Sequence, residues 1–251
     1  MSNDKAFFLV FAFMNTIIFF ARTPEPHHGM TRLRKDVPHD KVDTIVAYLY
    51  EHLYTKLSNT PHSLVIHYNG KPPKKDVPVW RQSGDELGET MARSIKKELT
   101  RGPVVLIGSD LIGIDEDYVN SAFDALIKND IVLGPARDGG YGLIGMNHFI
   151  DVFSGITYSR SDVLEKTIDR AKKLGKSVHL LDTIRDIDDI RDLAAEVLNS
   201  PITSYSEEKE HFIFIDEMGS KLKVFKKEPK NKSGLSAPTT MMPFFYSISK
   251  T

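Results

Sequence analysis

Two rhythms of apolar residues alternate along this chain: short unbroken runs, and longer stretches in which apolar positions recur every three or four residues. Thr16–Phe20 is uninterrupted and β-rich, as a strand buried on both faces requires, and predicts a first strand over Asn15–Ala21. Lys41–Leu57 carries Val42, Ile45, Val46, Leu49, Leu53 and Leu57 near helical spacing. Ser63–Tyr68 reads as a second strand, followed by a turn-rich, basic connection, NGKPPKKDVP. Asp85–Leu99 is a second helix with Leu87, Met91, Ile95 and Leu99 on one face, and Pro103–Ile107 a third strand running into Gly-Ser-Asp. Glu116–Lys128 is helical, Asp130–Leu133 and Leu143–Met146 are short strands, and Ser161–Leu174 is a helix closed by Gly175. Ser177–Leu181 and Ile187–Leu198 supply a last strand and a last helix.

Strands that alternate with helices predict an α/β fold, a mostly parallel sheet flanked by helices. That domain spans 15–198. Residues 1–14 are an apolar N-terminal extension. The run Ala6–Phe20 is 15 residues long, short of the ~20 that span a bilayer, so membrane association is not expected. Residues 199–251 form a C-terminal extension: a linker-like SPITSYSEEKE, a hairpin over HFIFIDEMGSKLKVF, and a polar, poorly ordered tail.

Composition narrows the chemistry. Lys and Arg total 33 against 34 Asp and Glu, so nothing pushes the chain as a whole toward nucleic acid. Cysteine is absent, which removes disulfides, thiolate catalysis and Cys-type zinc sites, and fits a cytoplasmic protein.

Ligands of open α/β sheets sit beyond the carboxyl ends of the strands, and three charged loops occupy that position here. The first, Arg22–Leu33, combines a glycine with the cations Arg22 and Arg32, able to wrap phosphate oxygens with amides and guanidinium groups; an exposed loop with solvated arginines accounts for it as well. It matches neither the Gly-Lys-Ser/Thr phosphate loop nor the dinucleotide glycine pattern. The second is Gly108–Ser109–Asp110, where a carboxylate ends a buried strand. A divalent cation would relieve the cost of that carboxylate; capping of the following turn accounts for it equally well. The third, Gly134–Gly145, holds five glycines in twelve residues around Asp138, implying close approach of the backbone to a ligand, or a tight turn. A fourth cluster, Asp182–Asp192, contains Asp186, Asp188, Asp189 and Asp192, placed to start a helix or to share a metal with Asp110.

Together IIFFARTPEPHHGMTRL, QSGDELGETM, VVLIGSD, GPARDGGYGLIGM and DIDDIRDL resemble, in order, the glycosyltransferase-A-like transferases. That family is related to the phospholactate guanylyltransferases and to bacterial glycosyltransferases associated with arsenosugar or selenium metabolism. The resemblance covers Asn15 to about Leu193. It implies a nucleotide-diphospho-sugar transferase (GT-A-like) fold, donor phosphates near Arg22, Gly29, Thr31 and Arg32, and Gly84, Asp85 and Leu87 near the base or ribose. It implies Asp138 as the residue that orients or deprotonates an acceptor, with Gly139, Gly140 and Tyr141 beside it. Asp110 would be the metal aspartate and Asp186 or Asp188 a second contact to Mg or Mn. Met30 stands where the family has lysine, Thr90 where it has arginine, and Tyr158–Ser159–Arg160 where it has Trp-Ser-Thr.

The expected function is therefore metal-dependent transfer from a nucleotide or nucleotide-sugar donor to a small-molecule acceptor, glycosyl transfer first. The alternatives are nucleotidyl transfer of the guanylyltransferase kind, or a catalytically weak nucleotide-binding homologue, which Met30 and Thr90 motivate. A phosphatase-like or response-regulator-like site ranks last, because FARTPEP has no aspartate directly after the first strand.

Overall fold

In the computed structural model, residues 15–187, 189–198, 202–207, 211–216 and 221–225 are described. By contacts the chain divides into two units, Met1–Glu25 with Ala47–Asp186, and Pro26–Val46 with Ile187–Thr251. The expectations for residues 1–14 and 226–251 fall outside the described residues.

The first unit is built on a seven-stranded sheet in the order β3-β2-β1-β4-β7-β6-β8. Its strands are β1 (Thr16–Arg22), β2 (Ser63–Asn69), β3 (Val79–Arg81), β4 (Val104–Gly108), β6 (Ile131–Pro135), β7 (Tyr141–Met146) and β8 (Val178–Leu180). A separate two-stranded ladder joins β5 (Leu111–Ile112) to β9 (Arg185–Asp186). The pairs β1–β2, β1–β4, β2–β3 and β6–β8 are parallel, whereas β7 runs antiparallel to both β4 and β6. The α/β architecture with a mostly parallel sheet thus holds, with one reversed strand. That reversal follows from the chain between β6 and β7, which is too short for a crossover helix and long enough for a hairpin.

Alternation along the central strands fills both faces. Ile17, Phe19, Val105, Ile107 and Leu143 join one apolar cluster, which is completed by Tyr50, Leu53 and Leu57 of α2 (His39–Ser58) and by Val119, Phe123 and Leu126 of α4 (Glu116–Leu126). Ile18, Val65, Leu106, Ile131 and Ile144 point to the other face. There Met91 and Ile95 of α3 (Leu87–Glu98) and Ala171 of α5 (Val163–Lys173) cover them. Asp115 caps α4 by accepting from the Tyr118 amide at 2.9 Å, so the acids at 115–117 are helix-start residues. The buried His67 and Glu98 side chains meet at 3.1 Å and tie β2 to α3.

The second unit contains α1 (Leu33–Asp36), the first turns of α2, and α6 (Ile190–Leu198). A three-stranded antiparallel sheet follows, β10 (Ile202–Glu207), β11 (His211–Asp216) and β12 (Lys221–Phe225), in that order. The polar stretch that reads as a linker supplies β10. Asp189 opens α6, its carboxylate accepting from the amides of Arg191 at 2.7 Å and Asp192 at 3.2 Å.

No helix among the described residues is long and apolar enough to cross a membrane.

Candidate functional site

The sheet order reverses between β1 and β4. From β1 the chain moves outward to β2 and β3, then returns to place β4 on β1's other side. A parallel sheet opens a crevice at such a switch point, beyond the carboxyl ends of the two strands. Phe20 and Gly108 are register partners across it. Arg22 and Asp110 each follow two residues later, Arg22 as the last residue of β1 and Asp110 in the turn after β4. Both are exposed. Asp110 lies in the turn after β4, with its Oδ1 close above Gly108. The sequence argument from a buried carboxylate is corrected here: Asp110 lies in the turn beyond β4 and is exposed, so burial does not by itself call for a cation.

The chain after β1 is pinned to the end of β2. The Thr23 amide donates to the Asn69 carbonyl at 2.9 Å, the Thr23 hydroxyl to the Lys71 carbonyl at 2.7 Å, and the Lys71 amide to the Glu25 carboxylate at 3.0 Å. Gln82 closes the same edge. Its backbone amide donates to Tyr68 at 2.8 Å, and its side-chain amide donates to the carbonyls of His67 at 2.7 Å and Ala21 at 3.3 Å. Sequence reasoning missed Gln82, whose only signal was its place at the head of QSGDELGETM.

That motif leads into α3. Gly84 and Asp85 are exposed, and the Asp85 amide donates to Glu89 at 3.0 Å. Leu87, the first residue of α3, is 47% exposed, an apolar side chain at the helix start. Thr90 is buried and its hydroxyl donates to the Glu86 carbonyl at 2.8 Å, so this departure from the family pattern is tied into the helix start.

The β6–β7 hairpin carries Asp138, Gly139, Gly140 and Tyr141. Asp138 Oδ1 accepts from the Gly140 amide at 2.8 Å, and the Ala136 amide closes the turn onto the Gly140 carbonyl at 3.0 Å. Gly139 has φ +86°, and a Cβ there would collide with the Ser161 carbonyl, while its own carbonyl accepts from the Leu164 amide at 2.9 Å. A Cβ at Gly142 would strike Leu111 and Ile184. These close approaches are to protein, which accounts for two of the five glycines without a ligand. Tyr141 is half-buried, and its hydroxyl lies 3.4 Å from that of Tyr158.

Asp186 pairs with Leu111 in the β5–β9 ladder, which brings it beside the residue that follows Asp110. Asp188 lies outside the described residues. Among the described residues, no three His, Asp or Glu side chains cluster closely enough to hold a metal by themselves. An Mg-type ion needs only one or two carboxylates when phosphate oxygens and water complete its shell, so the exposed Asp110 is of a suitable residue type.

In the second unit, the organiser of the 26–46 segment is Arg34, a residue the sequence reading passed over. It is 7% exposed and donates to the carbonyls of Gly29 at 2.7 Å, His28 at 2.6 Å and His39 at 3.1 Å. It also donates to Asp43 Oδ1 at 2.7 Å. Burial raises the Asp43 pKa, but the Arg34 hydrogen bond and charge, with the His27 amide, more than offset it and hold the carboxyl below its ordinary value. Thr31 and Arg32 are exposed at the start of α1. Met30 adopts a left-handed φ of +46°.

A family described as uncharacterized proteins conserved in bacteria (DUF2064) matches residues 55–160, which include Gly84, Asp110 and the β6–β7 hairpin. Among solved structures, a candidate nucleotide-diphospho-sugar transferase of Desulfovibrio desulfuricans G20 is 29% identical with a TM-score of 0.69, over 72% of this chain and 85% of that one. A candidate glucose-1-phosphate thymidylyltransferase of Bacillus anthracis is 13% identical with a TM-score of 0.50, over 77% of this chain and 98% of that one, a likeness of fold alone. No curated protein matches.

Proposed function

We propose that the chain is a transferase that binds a nucleotide-activated donor at the carboxyl ends of β1 and β4, with glycosyl transfer as its reaction. The observation that carries this reading is the switch point between β1 and β4, where Phe20 and Gly108 are in register and the exposed Arg22 and Asp110 each stand two residues on. The likeness to the Desulfovibrio structure supports it at the level of a nucleotide-diphospho-sugar transferase-like fold. Arg22 would pair with donor phosphate oxygens through its fork of N–H groups. Leu87 offers an apolar face to the base, with Gly84 and Asp85 at the ribose. A divalent cation, Mg or Mn, held by Asp110 and Asp186, would supply charge neutralisation at the departing diphosphate. Asp138 keeps one oxygen on the Gly140 amide, which fixes the carboxylate, and leaves Oδ2 to orient an acceptor hydroxyl or take its proton.

Calorimetry with UDP-, GDP- and CDP-sugars and with nucleoside triphosphates, each with and without Mn, tests this. A nucleotide should bind, more tightly with Mn, and Asp110→Asn should abolish the Mn dependence. Release of nucleoside diphosphate identifies glycosyl transfer; release of pyrophosphate identifies nucleotidyl transfer in its place. If no nucleotide binds and Asp110→Asn changes nothing, the reading fails.

A further inference from the structure

A cleft of about 450 Å³ runs along the outer side of α3, between Glu86–Lys96 and the 149–158 segment. It is not one of the loops at the strand ends. Phe149, Phe153 and Tyr158 line it, with Ala92 in the helix wall and Arg93 and Lys96 beyond. Phe149 and Phe153 stack with ring centroids 6.4 Å apart.

Its charges are unevenly committed. Asp151 accepts from the Ser154 hydroxyl at 2.6 Å, the Ser154 amide at 3.1 Å, the Phe153 amide at 3.2 Å and Arg170 at 3.4 Å. Glu89 accepts from the Asp85 amide at 3.0 Å and from Arg93 Nη2. Those two acids are spent on protein donors. Glu86 stands at the end of the cleft nearest the start of α3. Lys96 Nζ, by contrast, rests 4.1 Å above the Phe149 ring. A cation on an aromatic face keeps its N–H donors available, and an ammonium so placed is drawn to an oxyanion that can replace its water. At the other end, the Tyr158 ring lies against Gly88 and its hydroxyl lies 3.4 Å from that of Tyr141.

We propose that this cleft is a binding site for a small amphiphilic anion, a compact apolar or aromatic body carrying one carboxylate or phosphate. The body packs on Phe153 and Tyr158, and the oxyanion meets Lys96, while Arg93 keeps Glu89 neutralised. The site stands independently of donor binding at β1 and β4.

Saturation-transfer NMR on the full chain tests it with four probes: phenylacetate, phenyl phosphate, the neutral phenylacetamide and the cationic phenethylamine. The two anions should bind, and their relative affinities tell a carboxylate from a phosphate ligand. Lys96→Met, which keeps the stem and removes the charge, should weaken anion binding about tenfold, the scale of one charge-assisted hydrogen bond. Ala92→Phe, which fills the cleft, should abolish binding of every probe while the far-ultraviolet dichroism stays unchanged. Equal binding of the amine and the anions, or anion binding indifferent to both substitutions, overturns the proposal. Nucleotide calorimetry on the same variants should be unaltered. Probe binding without nucleotide binding would leave this site standing and the transferase reading lost, and the reverse result would do the opposite.

Discussion

Arg34 Nη2 and Asp43 Oδ1 lie 2.7 Å apart, and the same guanidinium closes on three backbone carbonyls, those of His28, Gly29 and His39. One buried cation therefore holds the shape of the segment that follows β1. Removing one partner of a buried pair leaves the other uncompensated. Arg34→Met should cost about 3 kcal/mol, read by urea denaturation and by faster amide exchange over residues 27–43. Asp43, whose folded pKa is depressed, contributes stability that is complete above the unfolded carboxyl value and lost as pH falls through the lower folded one. Wild type should accordingly lose protection in this segment on acidification, and the Arg34→Met protein should show less of that dependence.

The two glycines of the hairpin tip should behave differently on substitution. Gly139→Ala places a Cβ on the Ser161 carbonyl at a left-handed φ, and should destabilise by about 3 kcal/mol. At Gly140 a Cβ comes nearest to the Asp138 carboxylate, at 3.1 Å from Oδ1, so Gly140→Ala should cost under about 1 kcal/mol. Thermal melts of the pair check this, and equal losses would contradict the packing account of Gly139.

Asp130 accepts from the Ser177 amide at 2.9 Å and hydroxyl at 2.8 Å, and from Lys176 at 3.2 Å. The Ser177 bonds, with Lys176 adding to them, bring its pKa down to about 2 from 3.8. A depressed carboxyl stabilises the fold above its unfolded pKa, and that contribution disappears as pH falls from 3.8 through about 2. Asp130→Asn should therefore lower stability by about 1–2 kcal/mol at neutral pH, after allowance for solvent screening, and by much less near the folded pKa. Denaturation curves at the two extremes make the comparison.

Tyr50 is buried against Phe19, ring centroids 5.1 Å apart, and among the described residues its hydroxyl has no hydrogen-bond partner. Burial, with Glu51 and Tyr54 nearby, pushes its pKa up to about 12, so the group stays neutral and carries an unmet donor. Tyr50→Phe removes that donor and keeps the ring. It should raise stability by about 1 kcal/mol, seen as a higher melting temperature.

Much of the sheet was legible because burial on both faces leaves unbroken apolar runs such as Ile17–Phe19 and Val104–Ile107. The strands β3, β5 and β9 were not, since each is two or three residues long and sits in a polar, turn-rich or Gly-containing stretch with no long apolar run of its own. The direction of β7 was hidden in the composition of its loop rather than in any apolar pattern. Arg22 and Asp110 could be picked out as charges at strand ends, but that β1 and β4 are neighbours, with Phe20 opposite Gly108, is a matter of pairing. Gly139 and Gly142 looked like ligand contacts because their true neighbours, Ser161, Leu111 and Ile184, are distant in sequence. Arg34 reads as one more surface arginine until its four acceptors are seen together.

Strand β7, inserted against the grain between β4 and β6, turns the chain back at the carboxyl end of β6. The tip bearing Asp138 thereby reaches the same rim as Arg22 and Asp110 on a tether of only a few residues. With Gly139 fitted under Ser161, that tether has little room to lengthen or bulge. On the proposed reading, a change of acceptor preference should then come through exchanged side chains on the facing segments, while an insertion in the hairpin should destabilise the fold.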